Sequence, residues 1–262
     1  MKSLMLIVFI LFSGYILTAY SQEHETIMIT KSEEMNKVSF DGKWSFVTEW
    51  KRSSQERMRY DNGTEIQLRI AHQDNFVYVM LNHVTDTKID ENIDKAIVCF
   101  DTKNNKGKTL DSDDYCFIST LSQNDGMVLQ GNSNQTSDQL VEIDPHAEYI
   151  SIGGISDEND RYSKIPHSSF EFRIPTDLIG RSDNYGFYVA VYEASSNKTY
   201  SWPETERPNF VSTPVPDSWG NLISPDKSLP EFGVYQLVLL PLIILTIVLA
   251  RFWNPQLLKV RN

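Results

Sequence analysis

Seven aspartates crowd one stretch of the sequence: Asp86, Asp90, Asp94 and Asp101, then Asp111, Asp113 and Asp114. A hard divalent cation collects oxygen ligands of this kind, and calcium takes six to eight, with backbone carbonyls completing the set. Asp101, Asp111, Asp113 and Asp114 flank a turn-forming run, Asn104, Asn105, Lys106 and Gly107, and are the candidate calcium ligands. The spacing lacks the glycine and the twelfth-position glutamate of a helix-loop-helix calcium loop. A solvated acidic loop is the competing reading. The same hairpin carries both cysteines, Cys99 and Cys116, equidistant from a turn centred between Gly107 and Lys108 and so expected opposite each other. An even cysteine count in an exported chain favours a disulfide over two buried thiols or an incomplete metal site.

Aromatic side chains are the second source of chemistry. Trp44, Trp50 and Trp202 are the candidate ligand-stacking residues, because an indole face suits the apolar face of a sugar ring; the ordinary fate of such rings is a core. Trp44 and Trp50 are six residues apart and share a face if one strand carries both. Catalytic patterns are missing. The five histidines, His24, His72, His83, His146 and His167, show no metalloprotease spacing, and there is no Gly-x-Ser-x-Gly elbow and no Cys-x-x-Cys-His haem attachment signature. Sequons at Asn62, Asn134 and Asn197 are acceptors for N-linked glycans where the exporting cell makes them.

The elements that must position these residues read as strands. Apolar and polar residues alternate with a period of two over 65–70, 76–82, 96–100, 115–119, 149–152, 170–174 and 185–192, with turn clusters between them. A single helical turn is expected over 176–179, after Pro175. This pattern predicts an all-β fold, an antiparallel β-sandwich over residues 22–202. Beyond it, Pro203, Pro208, Pro214, Pro216 and Pro225 predict an extended stalk over 203–229.

Both ends carry membrane signals. Residues 1–21 have Lys2, an apolar run and the small-residue ending Ala19, Tyr20, Ser21 of a cleavable signal peptide. Residues 234–252 hold no charge before Arg251 and are long enough to span a bilayer as one helix, within a C-terminal segment of 230–252. Lys259 and Arg261 follow, placing the tail 253–262 in the cytoplasm and the domain outside the cell. With Lys2, Arg251, Lys259 and Arg261 set aside, 20 of the 24 basic residues face all 35 acidic ones, a formal charge of −15 over residues 22–232. Nucleic acid is excluded as a partner for such a surface, whereas cations and neutral ligands suit it.

Two resemblances sharpen this reading. Asp41, Gly42, Lys43 and Trp44, with Glu49 and Trp50, the run from Phe76 to Val79, Asp94 to Ala96, Phe100 with Asp101, and Asp113 to Tyr115 resemble family 9 carbohydrate-binding modules and their DOMON-like relatives. The runs Phe170 to Pro175, Tyr185 to Phe187 and Ser201 to Pro203 resemble that family's closing strands, so the likeness covers almost the whole domain. It implies a β-sandwich that binds carbohydrate or an envelope glycan without catalysis. In other branches it implies haem and electron transfer, yet neither Met80, Met127 nor any lysine matches an axial-ligand position. A structural component of the cell envelope is the third reading. Pro230, Glu231, Phe232 and Gly233, ahead of the apolar span and Arg251, resemble the C-terminal sorting signal of archaeal surface proteins, which implies a membrane sortase-like processing enzyme as partner.

Overall fold

A computed structural model describes residues 24–132, 139–205 and 213–225. Among the described residues, fourteen strands form two sheets. They are β1 (Thr26–Met28), β2 (Thr30–Lys31), β3 (Ser54–Arg59), β4 (Glu65–Gln73), β5 (Phe76–His83), β6 (Lys95–Asp101) and β7 (Asp114–Thr120), followed by β8 (Met127–Gly131), β9 (Leu140–Ile143), β10 (Ile150–Ile155), β11 (Ser168–Pro175), β12 (Asn184–Glu193), β13 (Lys198–Trp202) and β14 (Gly220–Ile223). The eight-stranded sheet runs β1-β14-β12-β6-β7-β8-β9, with β13 beside the second half of β12. The six-stranded sheet runs β10-β11-β5-β4-β2, with β3 also on β4.

All seven expected strands are present, and the helical turn is Thr176–Ile179. Their alternation sends Leu68, Val79 and Phe172 from one sheet against Val98, Phe117 and Phe187 from the other, in one shared core. Nearly all other ladders are antiparallel, but two are not: β1 pairs β14 and β2 pairs β4 in parallel. The segment 26–31 thus serves both sheets in succession, with buried Ile29 between its two strands. The purely antiparallel expectation is corrected here, because a two- or three-residue strand needs no hairpin partner and fills whichever edge is open.

Each sheet is also covered on its outer face, which is why β4, β5, β6, β11 and β12 are buried almost throughout. On the eight-stranded sheet the outer cluster is Ile97, Cys99, Leu110, Cys116, Tyr188, Ala190 and Trp219. Trp219 is fully buried, stacks on Tyr188 at 6.1 Å and donates its indole N–H to the Pro214 carbonyl at 2.7 Å. The expected stalk over 203–229 therefore does not hold for 213–225. That stretch is part of the fold, since prolines at 214 and 216 end just before β14 and leave its ladder groups free to pair.

Cys99 and Cys116 face each other across β6 and β7 and are bonded, as expected from their spacing. Closing a loop of 17 residues contributes about 3 kcal/mol on the loop-entropy scale. Replacing both cysteines by serine is expected to lower unfolding free energy by that amount, read from denaturant unfolding with a steeper slope, because the unlinked denatured chain exposes more surface.

Among the described residues no helix is long and apolar enough to cross a membrane. The signal peptide of 1–21, the motif Pro230 to Gly233, the span of 234–252 and the sequon Asn134 all lie outside the described residues.

Candidate functional site

The outer face of the six-stranded sheet is roofed by residues 35–53 and 157–165, and this roof positions the tryptophans. The stretch 38–53 holds no strand, so Trp44 and Trp50 do not share a strand face. They are pegs of a folded loop, both buried, packed with Met35, Ala71, Tyr78 and Met80. Gly42 makes the entry tight: its φ is +80°, and a Cβ there would lie 2.5 Å from the Gly154 nitrogen, backbone against backbone.

One buried carboxylate ties the roof down. Glu171, in the middle of β11, accepts the Trp50 indole N–H at 2.8 Å on one oxygen and the backbone N–H groups of Asp41 and Gly42, at 3.1 and 2.8 Å, on the other. Burial drives its pKa well up, the N–H groups of Trp50 and Gly42 oppose that shift, and the nearby carboxylates of Glu49 and Asp41 add to it. Glu49 acts likewise within the roof, accepting N–H groups from Ser39 and Ser45, with burial raising its pKa. Arg69 lies 5.4 Å from the Trp44 ring centre, and its guanidinium donates to the Tyr162 hydroxyl, the Ser53 carbonyl and the Gln55 amide oxygen. Trp44 and Trp50 are therefore unavailable as stacking platforms, and Trp202, packed on Phe187 in the main core, is mostly buried too.

What the roof presents outward is Phe46, 40% exposed, beside Val47. Phe46 borders a cleft of about 440 Å³ whose other walls are Glu34, Lys37, Thr48, Glu49, Lys51 and Arg52. The cleft thus offers one half-exposed aromatic ring and, around it, charged and hydroxyl side chains able to hydrogen-bond. The Phe46 carbonyl is fixed from below by the Trp44 indole N–H at 2.6 Å. Phe46 is absent from the sequence-derived candidates; the available signal was an apolar pair, Phe46 and Val47, inside a stretch with no strand periodicity.

The aspartates separate into two groups. Asp94 stands just before β6 and Asp101 ends it, and at ~3.4 Å per residue the strand keeps them ~24 Å apart. At one end Asp94 accepts N–H groups from Asp90 and Ala194, and Asp86 accepts the Ser168 hydroxyl. Burial lifts the Asp86 pKa to about 6, and burial lowers that of neighbouring His83 to about 4.

At the other end Asp101, Asp113 and Asp114 each bring a carboxylate oxygen within 4.8 Å of the others, all three buried. Asp111 is not in that group; its oxygens accept the Asp113 backbone N–H and the Asn105 amide. Asp101 and Asp114 are register partners on β6 and β7, two residues along from the bonded Cys99 and Cys116 and on the same face. Like charges directly opposite in a ladder repel, and the disulfide holds them there. Asp101 accepts two loop N–H groups, from Asn105 and Lys106, and Asp113 accepts the exposed Lys103 ammonium at 2.9 Å. Asp114 has one oxygen on the Asp111 N–H, while its buried Oδ1 has no hydrogen-bond partner. Burial, with Asp101, Asp111 and Asp113 adding repulsion, raises the Asp114 pKa to about 8. Oxygen-only donors with a deficit of positive charge fit calcium in kind.

Met80 lies under the roof of the six-stranded sheet, whereas Met127 is on β8 of the other sheet, 42% exposed. The two do not converge on one site.

No family model matches this chain, and no curated protein matches it. Among solved structures, a carbohydrate binding module family 9 from Caldicellulosiruptor kristjanssonii is similar over 76% of this chain and 93% of its own, in complex with cellotriose, with 13% identity and a TM-score of 0.49. The same module in complex with glucose matches with the same identity and TM-score over 76% of this chain and 95% of its own.

Proposed function

We propose that this chain is a non-catalytic binding protein for neutral carbohydrate, displayed outside the cell on the apolar segment 234–252, with calcium held by the hairpin of β6 and β7. The observation that carries the binding reading is the Phe46 cleft: an outward ring on a roof made rigid by Trp44, Trp50 and Glu171, rimmed by Glu34, Lys37, Lys51 and Arg52. Rigid mounting matters because a loop that had to order on binding would lose much of the contact energy to entropy. Calcium's supports are the in-register Asp101 and Asp114, Asp113 beside them, and the unpartnered Asp114 Oδ1. The ion would fasten the loop between β6 and β7 by neutralising these carboxylates; no catalytic step is assigned to it. The bonded cysteines support an oxidising, extracytoplasmic setting.

Aromatic pairs contribute about 0.5–1.5 kcal/mol beyond area burial, and a ring–sugar stack at the top of that scale makes Phe46→Ala weaken binding about tenfold. Phe46→Tyr, which keeps the ring, leaves affinity near wild type. Affinity electrophoresis through immobilised neutral polysaccharide reads both. Equal retardation of wild type and Phe46→Ala on every polysaccharide tried argues against this cleft.

A further inference from the structure

We infer that Asn62 is an N-glycan acceptor whose first sugar seats in the adjoining cleft lined by Tyr60, Lys198, Thr199, Tyr200 and Glu204, so that the modification becomes part of the fold; this stands independently of the sugar-binding reading at Phe46. Asn62, Gly63 and Thr64 form a sequon at the tip of the hairpin joining β3 and β4, exposed at Asn62. The tip is a five-residue turn. The Gly63 N–H donates to the Tyr60 carbonyl at 2.9 Å, the Tyr60 N–H donates to the Thr64 carbonyl at 3.0 Å, and Gly63 has φ +86°. This is a type I turn closed by a glycine bulge, with Asn62 exposed at its tip and Thr64 buried at its end.

The side-chain contacts continue that geometry. Asn62 Oδ1 accepts the Thr64 N–H at 3.1 Å, which turns Nδ2 away from the hairpin, and Nδ2 donates to the Tyr200 hydroxyl at 2.8 Å. The Tyr60 and Tyr200 rings lie 5.0 Å apart, tilted by 54°, over a cleft of about 260 Å³ that Asn62 shares with Lys198, Thr199 and Glu204. A cleft of that size suits one sugar ring rather than a longer ligand, and it begins at the atom a glycan would be attached to. Tyr60 is braced from behind by its hydroxyl's bond to the Ser201 carbonyl at 2.9 Å, so its ring is preset. Asn197, the other sequon among the described residues, differs: it is exposed at the turn between β12 and β13, and its Oδ1 accepts the Tyr192 hydroxyl at 3.0 Å.

The reaction is group transfer from a polyprenyl-phosphate-linked oligosaccharide by a transferase of the export route. The bond from sugar C1 to the lipid phosphate oxygen breaks and a bond from C1 to Asn62 Nδ2 forms. One amide proton leaves, the lipid phosphate departs with the electron pair, and no redox partner is needed.

The test is the full chain exported by a glycosylating host and purified from its membranes, digested with trypsin and read by mass spectrometry on the peptide 60–69. Occupancy at Asn62 is expected to be near complete, to fall several-fold in Tyr60→Leu and to persist in Tyr60→Phe, while Asn197 is unchanged by either. Enzymatic removal of the glycan from folded wild type should lower its melting temperature by roughly 3 °C, the scale of one aromatic–sugar contact. An unmodified Asn62 in the exported wild type overturns the proposal. So does a modified Asn62 whose removal leaves the melting temperature unchanged, a reading that needs no substitution and therefore no variant that folds.

Discussion

Glu171→Ala is expected to lower the unfolding free energy by about 3–5 kcal/mol and to abolish ligand binding at Phe46, although the two residues do not touch. The substitution strands three donors, the Trp50 indole N–H and the backbone N–H groups of Asp41 and Gly42, under a roof that excludes water. Hydrogen bonds to a charged acceptor contribute about 1.5–3 kcal/mol each, and relief of the buried charge offsets only part of their loss. Glu171→Gln keeps the volume but turns an amide N–H₂ toward donors, so it also destabilises, by less. Urea unfolding supplies the stability and retardation on polysaccharide the binding. A stable Glu171→Ala protein that still binds would show that the roof is held by packing alone.

Calcium at a thousandfold excess over its dissociation constant is expected to stabilise the wild-type domain by about 4 kcal/mol, and Asp114→Asn to remove most of that gain. At about 2–4 °C per kcal/mol for a domain of this size, the shift in melting temperature is of order 10 °C. The metal-free protein carries a pH signature of its own. Asp114 has a folded pKa of about 8 against an ordinary 3.8, because burial and then Asp101, Asp111 and Asp113 disfavour its charge. The folded state therefore binds a proton more tightly than the unfolded chain. That stability is complete below 3.8 and is lost as pH rises through about 8. In chelator the wild type should melt lower at pH 8.5 than at pH 6, and Asp114→Asn should show a flatter profile. If calcium and chelator give the same melting temperature, the three carboxylates are an acidic cap on the hairpin and hold no ion.

The strands with an unambiguous period, 65–70 to 185–192, were legible because all but β10, an edge strand, are central in their sheets, and they send alternate side chains into the shared core. β3, reading Ser54 to Arg59, was not, because an edge strand shows solvent on most positions; its Arg57 and Arg59 both pair with Glu65 on β4. β1, β2 and β14 are two to four residues long, too short for any period, and only tertiary pairing makes them strands. The disulfide followed from counting residues about a turn. The aspartates looked like one group because proximity in sequence ignores strand length, and β6 separates Asp94, just before it, from Asp101 at its end. The tryptophans misled for a different reason: composition marks a large ring but not which way a loop folds it. Here the loop turns Trp44 and Trp50 inward and leaves Phe46 outside. Glu171 had a signal that went unused, a lone carboxylate between two core phenylalanines on a central strand.

The most direct measurement is calorimetric titration of the purified chain, in calcium, with a panel of neutral oligosaccharides, beside the same titration of Phe46→Ala. Saturable binding of at least one sugar class by the wild type, weakened about tenfold in Phe46→Ala, is the predicted result. Absence of binding across the panel, or equal affinity in the two proteins, would contradict carbohydrate recognition at this cleft.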